Sequence, residues 1–230
     1  MSQSQPQERP SPLSRFMSGG APGPDPRAAA AEGDGAEPDF AGEVVESSTL
    51  ELTAQARRLH GAPSFGRFVG VDSEATILGI VFNTYTQSVE PNRRPTAYGK
   101  TEAELRLEQP QIFELLRTYF QVLVIGYLDG GEPVHLLPPQ PARIHSFVRL
   151  GDDDLVRACT ESDEFLRCIH SAAHTPTDDL LIAALRHAVR ARHHDRAYLV
   201  RMGKELARLL RDDYDRLGSV MRRLGAALPA

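Results

Sequence analysis

The pattern of apolar and polar positions divides the chain into three parts. Residues 1–41 are rich in Pro, Gly, Ala, Ser and acidic residues and show no apolar period. Such a stretch has almost nothing to bury, so we expect a disordered N-terminal tail. Residues 42–149 contain short β-branched runs separated by turn signals, and residues 150–226 show the period of helices. We therefore predict a β domain followed by an α-helical C-terminal domain.

A period of two marks the first predicted strand. From Leu50 to Arg57, Leu and Ala occupy one side of the chain and polar or charged residues the other, as in a half-buried strand. Asp129-Gly130-Gly131 between two apolar runs is a strong hairpin signal. The other predicted strands cover residues 66–71, 76–85, 121–128 and 133–137. Five or six short strands, with glycines where sharp bends can fall, indicate a small closed β-barrel.

A helical insert is predicted at residues 89–119, between the two groups of strands. Thr101 and Glu104 have the spacing of a capping box, in which each residue satisfies a backbone amide of the other. Pro110 is tolerated in the first turn of a helix, so it predicts a second short helix over residues 111–119.

Helical periods continue to the end of the chain. Asp152 and Ser162 are predicted to start two short helices, and Thr177 a third. From about Asp195 to Arg223 the apolar residues recur every three or four positions, which predicts one long helix with an apolar stripe and outward-facing arginines. The predicted fold class is α+β: a small closed β-barrel with a helical insert, followed by an α-helical C-terminal domain.

Composition narrows the cellular setting. The 230 residues are 41 % hydrophobic, enough for one good core or two modest domains. Two cysteines are too few for a secreted disulfide scaffold. No apolar run approaches the roughly 18–20 residues of a membrane span, and the N-terminus has no apolar signal-peptide core. We expect a cytoplasmic protein that does not enter a membrane.

The charge is distributed unevenly. Residues 186–223 carry ten Arg and one Lys against one Glu and four Asp, a net charge of +6, so that the rest of the chain carries −11 to reach the total of −5. Such a segment is either a solvated helical face or a surface for nucleic acid or an acidic partner. The candidate contact residues are Arg93, Arg94, Arg186, Arg190, Arg192, Arg196, Arg201, Lys204, Arg208 and Arg211.

The sequence Gly99-Lys100-Thr101 imitates the end of an ATP-binding phosphate loop. Such a loop also needs a glycine five residues before the second one, after a buried strand. Arg94 occupies the position of that glycine, and Pro95 removes an amide where donors are needed. We therefore predict that these residues start a helix and bind no nucleotide.

Other candidate chemistry is sparse. Cys168, His170 and His174, with Cys159 upstream, match half of the spacing of a zinc site, and we interpret the cysteines as small apolar residues. Ser47-Ser48-Thr49 lacks the glycines of a nucleophile elbow and predicts a turn or bulge. We predict no catalytic residue, metal or cofactor, although an enzyme that places Arg93, Arg94 and His145 around a small substrate stays open.

Four stretches resemble a known family. Residues 42–51 (GEVVESSTLE), 65–69 (FGRFV) and 78–81 (LGIV) are similar to the glycine-led strands of the HAS barrel, and residues 138–148 resemble its exit in standalone bacterial members. This is the small N-terminal β-barrel of HerA-type DNA-translocating ATPases and of the rotary ATP synthase catalytic subunits. The resemblance covers residues 42–149. The residues that follow are predicted helices where the family has its ATPase domain.

The resemblance implies a role without chemistry. In the family the barrel packs beside its neighbours at one end of an ATPase ring, where the NurA-type nuclease docks in HerA-like proteins. We therefore expect a non-catalytic protein-interaction module that serves a ring ATPase or a nuclease in DNA processing; self-association also stays open. The alternative is a nucleic-acid-binding protein that uses the Arg-rich C-terminal helices.

Overall fold

The computed structural model describes residues 40–90 and 95–228. The predicted N-terminal tail lies outside these residues, except for Phe40 and Ala41. The amide of Ala41 donates a hydrogen bond to the carbonyl of Val148 at 2.7 Å. Backbone pairing with the barrel therefore begins at this residue, just before the first strand.

A closed barrel forms the first half of the fold. The described residues contain seven strands in a sheet of order β2-β1-β7-β3-β4-β5-β6, and an added pairing between β2 and β5 closes six of them into a barrel. The seventh, β6, pairs with β5 as a hairpin on the predicted Asp-Gly turn. The strands are β1 (Gly42–Ser47), β2 (Glu51–Ala56), β3 (Phe68–Val71), β4 (Ile77–Ser88), β5 (Leu116–Asp129), β6 (Glu132–Val134) and β7 (Phe147–Leu150).

One of the six barrel strands, β7, has no counterpart among the strands predicted from the sequence. β7 lies between β1 and β3 and pairs with both. It has only four residues, and just one of them, Val148, is buried. So short a strand shows no alternation along the sequence, and only its long-range partners define it.

The predicted second helix of the insert is mostly wrong. Only Gln111–Glu114 is helical, and β5 begins at Leu116. Residues 116–119 pair instead with the extended end of β4, from Ser88 to Tyr85, where the rings of Tyr85 and Tyr119 stack at 5.5 Å. Cross-strand pairing and aromatic contact therefore override a helical pattern that looked plausible locally.

Seven helices occur in the part of the chain that the structure describes. The insert holds two of them, α1 and α2. The other five follow β7 and form the C-terminal part. Their bounds are α1 (Glu102–Glu108), α2 (Gln111–Glu114), α3 (Asp153–Cys159), α4 (Glu164–Ser171), α5 (Thr177–Ala191), α6 (Arg196–Leu209) and α7 (Tyr214–Ala227).

The single long helix predicted from about Asp195 to Arg223 is also wrong. Helix α6 ends at Leu209 and α7 begins at Tyr214. The Asp213 side chain accepts a hydrogen bond from the amide of Arg216 at 3.0 Å and so caps the start of α7. Aspartate competes for backbone amides in this way and favours helix starts over helix interiors. The predicted apolar stripe is interrupted at the same place, since Tyr214 is 79 % exposed.

The helices bury the outer face of the barrel. One apolar cluster joins side chains of β3, β4 and β5 to all five C-terminal helices, and the rings of Phe68 and Phe165 meet in it at 6.3 Å. A second cluster, around Val44, Phe120 and Val148, fills the barrel interior. Because β3 is buried on both faces, it reads as a continuous apolar run. The predicted α+β class, with a closed barrel and a helical C-terminal part, is confirmed.

Candidate functional site

An apolar groove lies where the barrel meets helix α4. It has a volume of about 540 Å³ and is lined by the β1–β2 turn, strand β5, the segment after β6 and the residues that end α4. Among the described residues that line it, Glu51 is the only carboxylate, and there is no Lys or Arg. The groove is therefore suited to an apolar, uncharged group.

An irregularity in β5 forms the floor of the groove. β5 pairs with β2 as far as Leu123 and with β6 only from Tyr127 onward, and its register with β4 shifts between Val124 and Gly126. The carbonyl of Ile125 thus lies in a gap in the ladder. Bulges of this kind are enriched near functional sites because they re-aim side chains and end pairing.

Two side chains satisfy the Ile125 carbonyl. His135 lies with Nδ1 3.0 Å from this oxygen, and the Sγ of Cys168 lies 3.6 Å from it. Since a carbonyl oxygen only accepts, Nδ1 of His135 carries the ring proton in this contact. The polar backbone at the bottom of the groove is therefore already bonded, and the open surface above it is apolar.

Three leucines form the exposed rim. Leu50, Leu136 and Leu137 are 59 %, 66 % and 55 % exposed. Single exposed leucines are ordinary on protein surfaces, but a group of them beside a groove is typical of an interaction site.

Local turn chemistry places these leucines outside the core. The hydroxyl of Ser48 accepts hydrogen bonds from the amides of Leu50 and Glu51, at 3.2 Å and 3.1 Å, which forms the turn predicted at Ser47-Ser48-Thr49. The prediction that Leu50 shares the buried side of its strand is therefore wrong. Leu136 and Leu137 follow the end of β6 and precede two prolines, which cannot continue a sheet. That Leu-Leu-Pro-Pro sequence is the signal that the sequence analysis missed.

The residues that imitate a phosphate loop start helix α1. The hydroxyl of Thr101 accepts from the amide of Glu104 at 3.3 Å, and the Glu104 carboxylate accepts from the amide of Thr101 at 2.7 Å, so the predicted capping box is confirmed. The Thr101 hydroxyl lies 2.7 Å from the same carboxylate, and a hydrogen bond donated by this hydroxyl, followed by the one from the Thr101 amide, lowers the pKa of Glu104. Lys100 forms an ion pair with Glu108 at the other end of the helix.

The cysteines lie in apolar surroundings. Cys159 is buried in the helical core, and burial raises its thiol pKa to about 12. Burial and then the nearby Glu164 also raise the pKa of Cys168. Over residues 40–90 and 95–228, no group of three or more His, Cys, Asp or Glu side chains is arranged to hold a metal ion.

The basic candidate residues fall into two groups. Arg192 and Arg201 both pair with Glu161, Arg208 pairs with Glu205, and Arg211 pairs with Asp212. Within the described residues, the remaining candidates make no ion pair; they are Arg186, Arg190, Arg196 and Lys204. Arg93 and Arg94 lie outside the described residues. The ring of His145, named with them as a possible small-substrate site, contacts the carboxylate of Glu43.

No family model matches the sequence, and a search of curated proteins finds no relative. Among the described residues, no helix combines the length and the apolar character needed to cross a membrane.

Proposed function

We propose that this protein is a non-catalytic interaction module that acts in the cytoplasm beside a HerA-type DNA-translocating ATPase or its nuclease. The apolar groove with its rim of Leu50, Leu136 and Leu137 is the observation that carries the proposal. The resemblance of residues 42–149 to the HAS barrel supports the choice of partner, and the closed barrel is compatible with it.

The lining of the groove restricts what the partner presents. A volume of about 540 Å³ accommodates a few side chains and not a flat protein face. Glu51 is the only carboxylate among the described lining residues, and none of them is Lys or Arg, so the inserted segment is apolar and carries no charge at its centre. Such a segment, inserted as an anchor and surrounded by weaker contacts, is typical of the energetic centre of an interface.

The test measures binding to the purified HerA-type ATPase and NurA-type nuclease of the same organism by calorimetry. We expect the double variant Leu136→Ser/Leu137→Ser to weaken binding to one of them by at least about tenfold, because it removes two central apolar contacts. The matched control is Leu107→Ser, which changes a leucine that is 86 % exposed on α1, outside the groove, and leaves the affinity unchanged.

Four outcomes would overturn the proposal. The first is that neither partner binds, and the second is that Leu107→Ser weakens binding as much as Leu136→Ser/Leu137→Ser. The third is magnesium-dependent ATP hydrolysis by the purified protein. The fourth is dimerisation that Leu136→Ser/Leu137→Ser abolishes in sedimentation experiments, since the occupant would then be a second copy of the chain.

A second candidate function is nucleic-acid binding by the Arg-rich helices. It is favoured by the four candidate cations without an ion pair among the described residues, of which Arg196 and Lys204 lie on α6. Affinity carried by such cations falls steeply with salt. A titration of DNA and RNA at increasing salt tests this candidate, and the absence of binding at low ionic strength eliminates it.

A further inference from the structure

A second cavity, of about 430 Å³, contains cationic side chains that make no ion pair with any residue the structure describes. It lies between the loop before β3, helix α5 and the end of α7. Arg186, His187, Arg190 and His194 line it together with Ser64 of the loop. No carboxylate is among the described residues of its lining.

Close packing between the loop and α5 builds this basic cavity. Gly66 has φ +79°, and a Cβ at this position would overlap the Cβ of Ala183 on α5. The amide of Gly66 also donates to the carbonyl of Val81 at 2.7 Å, which joins the loop to β4. The loop therefore holds Ser64 and Arg67 against the helix that carries the arginines.

The charges on α5 are paired at one end and unpaired at the other. Near the helix start, Asp178 pairs with Arg216, and Asp179 pairs with Arg223. Near its end, Arg186 and Arg190 are four residues apart and so lie on the same face, where like charges repel. Neither arginine has an ion pair within the described part of the chain. An anion between them would relieve this repulsion.

His187 adds a hydrogen-bonding group to the lining without adding an anion, and Arg67, which does not line the cavity, adds a nearby positive charge. The pKa of His187 is lowered to about 4 by burial and then by Arg67, Arg190 and Arg186, so the ring is neutral at physiological pH. The Nε of Arg67 is buried and has no hydrogen-bond partner among the described residues, while its Nη2 donates to the carbonyl of Gly151 at 3.0 Å.

We propose that this cavity binds a phosphate group, with Arg186 and Arg190 as its ion-pair partners and His187 as a neutral hydrogen-bonding group. Two guanidinium groups, an imidazole and a serine hydroxyl offer more donors than the two oxygens of a carboxylate can accept. A phosphate has more oxygens and up to two negative charges, and arginine recognises it in a bidentate manner. This inference is independent of the proposed interaction at the apolar groove, since the cavity shares no lining residue with it. It shares Arg186 and Arg190 with the nucleic-acid candidate, from which the titrations below distinguish it.

The test uses NMR of the histidine rings during a titration of the full chain with inorganic phosphate. We expect saturable shifts of the His187 signals and a rise of the His187 pKa in the phosphate-bound protein, because the anion offsets the nearby arginines. Arg186→Ala and Arg190→Ala should each weaken phosphate binding at least about tenfold. The matched control is Arg167→Ala, which removes an equally charged, exposed side chain on α4, outside the cavity, and leaves the affinity within about twofold.

The source of the phosphate is resolved by two further titrations. Tight binding of a 5′-mononucleotide, lost in Arg186→Ala, identifies a phosphate monoester ligand. Tight binding of an oligonucleotide without terminal phosphates, lost in the same variant and kept in Arg167→Ala, identifies a phosphodiester. The proposal is overturned if inorganic phosphate gives no saturable shift, or if Arg167→Ala weakens every ligand as much as Arg186→Ala and Arg190→Ala do. A spectrum of each variant without ligand verifies that it is folded.

Discussion

Gly66, in the loop before β3, lies in close contact with Ala183 of helix α5: the backbone of the glycine packs directly against the side chain of the alanine. A Cβ placed on Gly66 would lie 3.2 Å from the Cα of Ala183 and would overlap its Cβ. This contact joins the barrel to the C-terminal helices at the wall of the basic cavity. A substitution that disturbs the contact between Gly66 and Ala183 is therefore expected to affect both the stability of the fold and the geometry of that cavity.

We expect Gly66→Ala to destabilise the protein by about 2–5 kcal/mol. The left-handed backbone at Gly66 costs an alanine roughly 1–2 kcal/mol, and overpacking against Ala183 adds about 1–3 kcal/mol. Urea unfolding followed by circular dichroism measures the change in the free energy of unfolding.

Gly130→Ala is the matched control for this substitution. Gly130 also has a positive φ, of +57°, but a Cβ there would meet nothing within 4 Å. We expect a loss of only about 1–2 kcal/mol, from the backbone conformation alone. Equal losses in the two variants would contradict the role of the Ala183 contact.

Arg192 is expected to stabilise the fold. Its side chain is only 10 % exposed; it donates to the hydroxyl of Thr160 and to the carbonyl of Arg157, both at 2.7 Å, and it stacks 4.1 Å from the ring centre of Tyr198. We expect Arg192→Ala to lower the free energy of unfolding by about 2–4 kcal/mol, because buried acceptors lose a charged donor.

Arg208→Ala provides the comparison for Arg192. Arg208 is 73 % exposed and pairs with Glu205 on the same helix, so its loss should change the free energy of unfolding by less than about 0.5 kcal/mol. Urea unfolding of both variants under identical conditions tests the difference. A negligible effect of Arg192→Ala would refute the stabilising role.

The two cysteines should differ in their reaction with iodoacetamide. The thiolate is the reactive form of cysteine. Because the pKa of Cys159 is about 12, almost none of its thiol is ionised at a pH of about 8, and burial also keeps the reagent away from it. We expect Cys159 to be labelled only at the rate of global unfolding and Cys168, which is half-buried, to react slowly but earlier. Mass spectrometry follows both sites. In the Cys168→Ala control, rapid labelling of the native protein would contradict the burial of Cys159.

His187 should make stability depend on pH between about 6.5 and about 4. Its pKa is about 4 in the folded protein, against an ordinary value of 6.5 for the unfolded chain. As pH falls through this window the unfolded state takes up the proton first, so stability decreases; above 6.5 the ring is neutral in both states and contributes nothing. The partly exposed ring limits the loss to about 1–2 kcal/mol.

The measurement for His187 compares the wild-type protein with His187→Gln. Acidic residues also titrate in this range, so the free energy of unfolding is measured for both proteins at several pH values and subtracted. We expect the wild-type protein to lose stability relative to the variant as the pH falls from 6.5 to about 4. A constant difference would show that His187 keeps its ordinary pKa.

Features that depend on neighbouring residues could be predicted from the sequence alone. The capping box at Thr101 and Glu104, the turn at Ser48 and the hairpin at Asp129-Gly130-Gly131 each rest on contacts within four positions, and each was predicted. The count of short strands and their glycines was also enough to indicate a small closed barrel. Local geometry carries this information because turns and caps satisfy their own backbone groups.

The tertiary structure alone decided which distant segments pair or pack against each other. Residues 147–150 form strand β7 because they pair with β1 on one side and with β3 on the other. Residues 116–119 extend β5 because they pair with β4. The apolar groove and the basic cavity likewise combine segments that lie far apart in the sequence. Pairing and packing across such separations depend on the partner as much as on the segment. The local sequence marks Leu136 as the end of a strand and Arg186 as part of a basic segment, but it does not show which distant residues lie beside them.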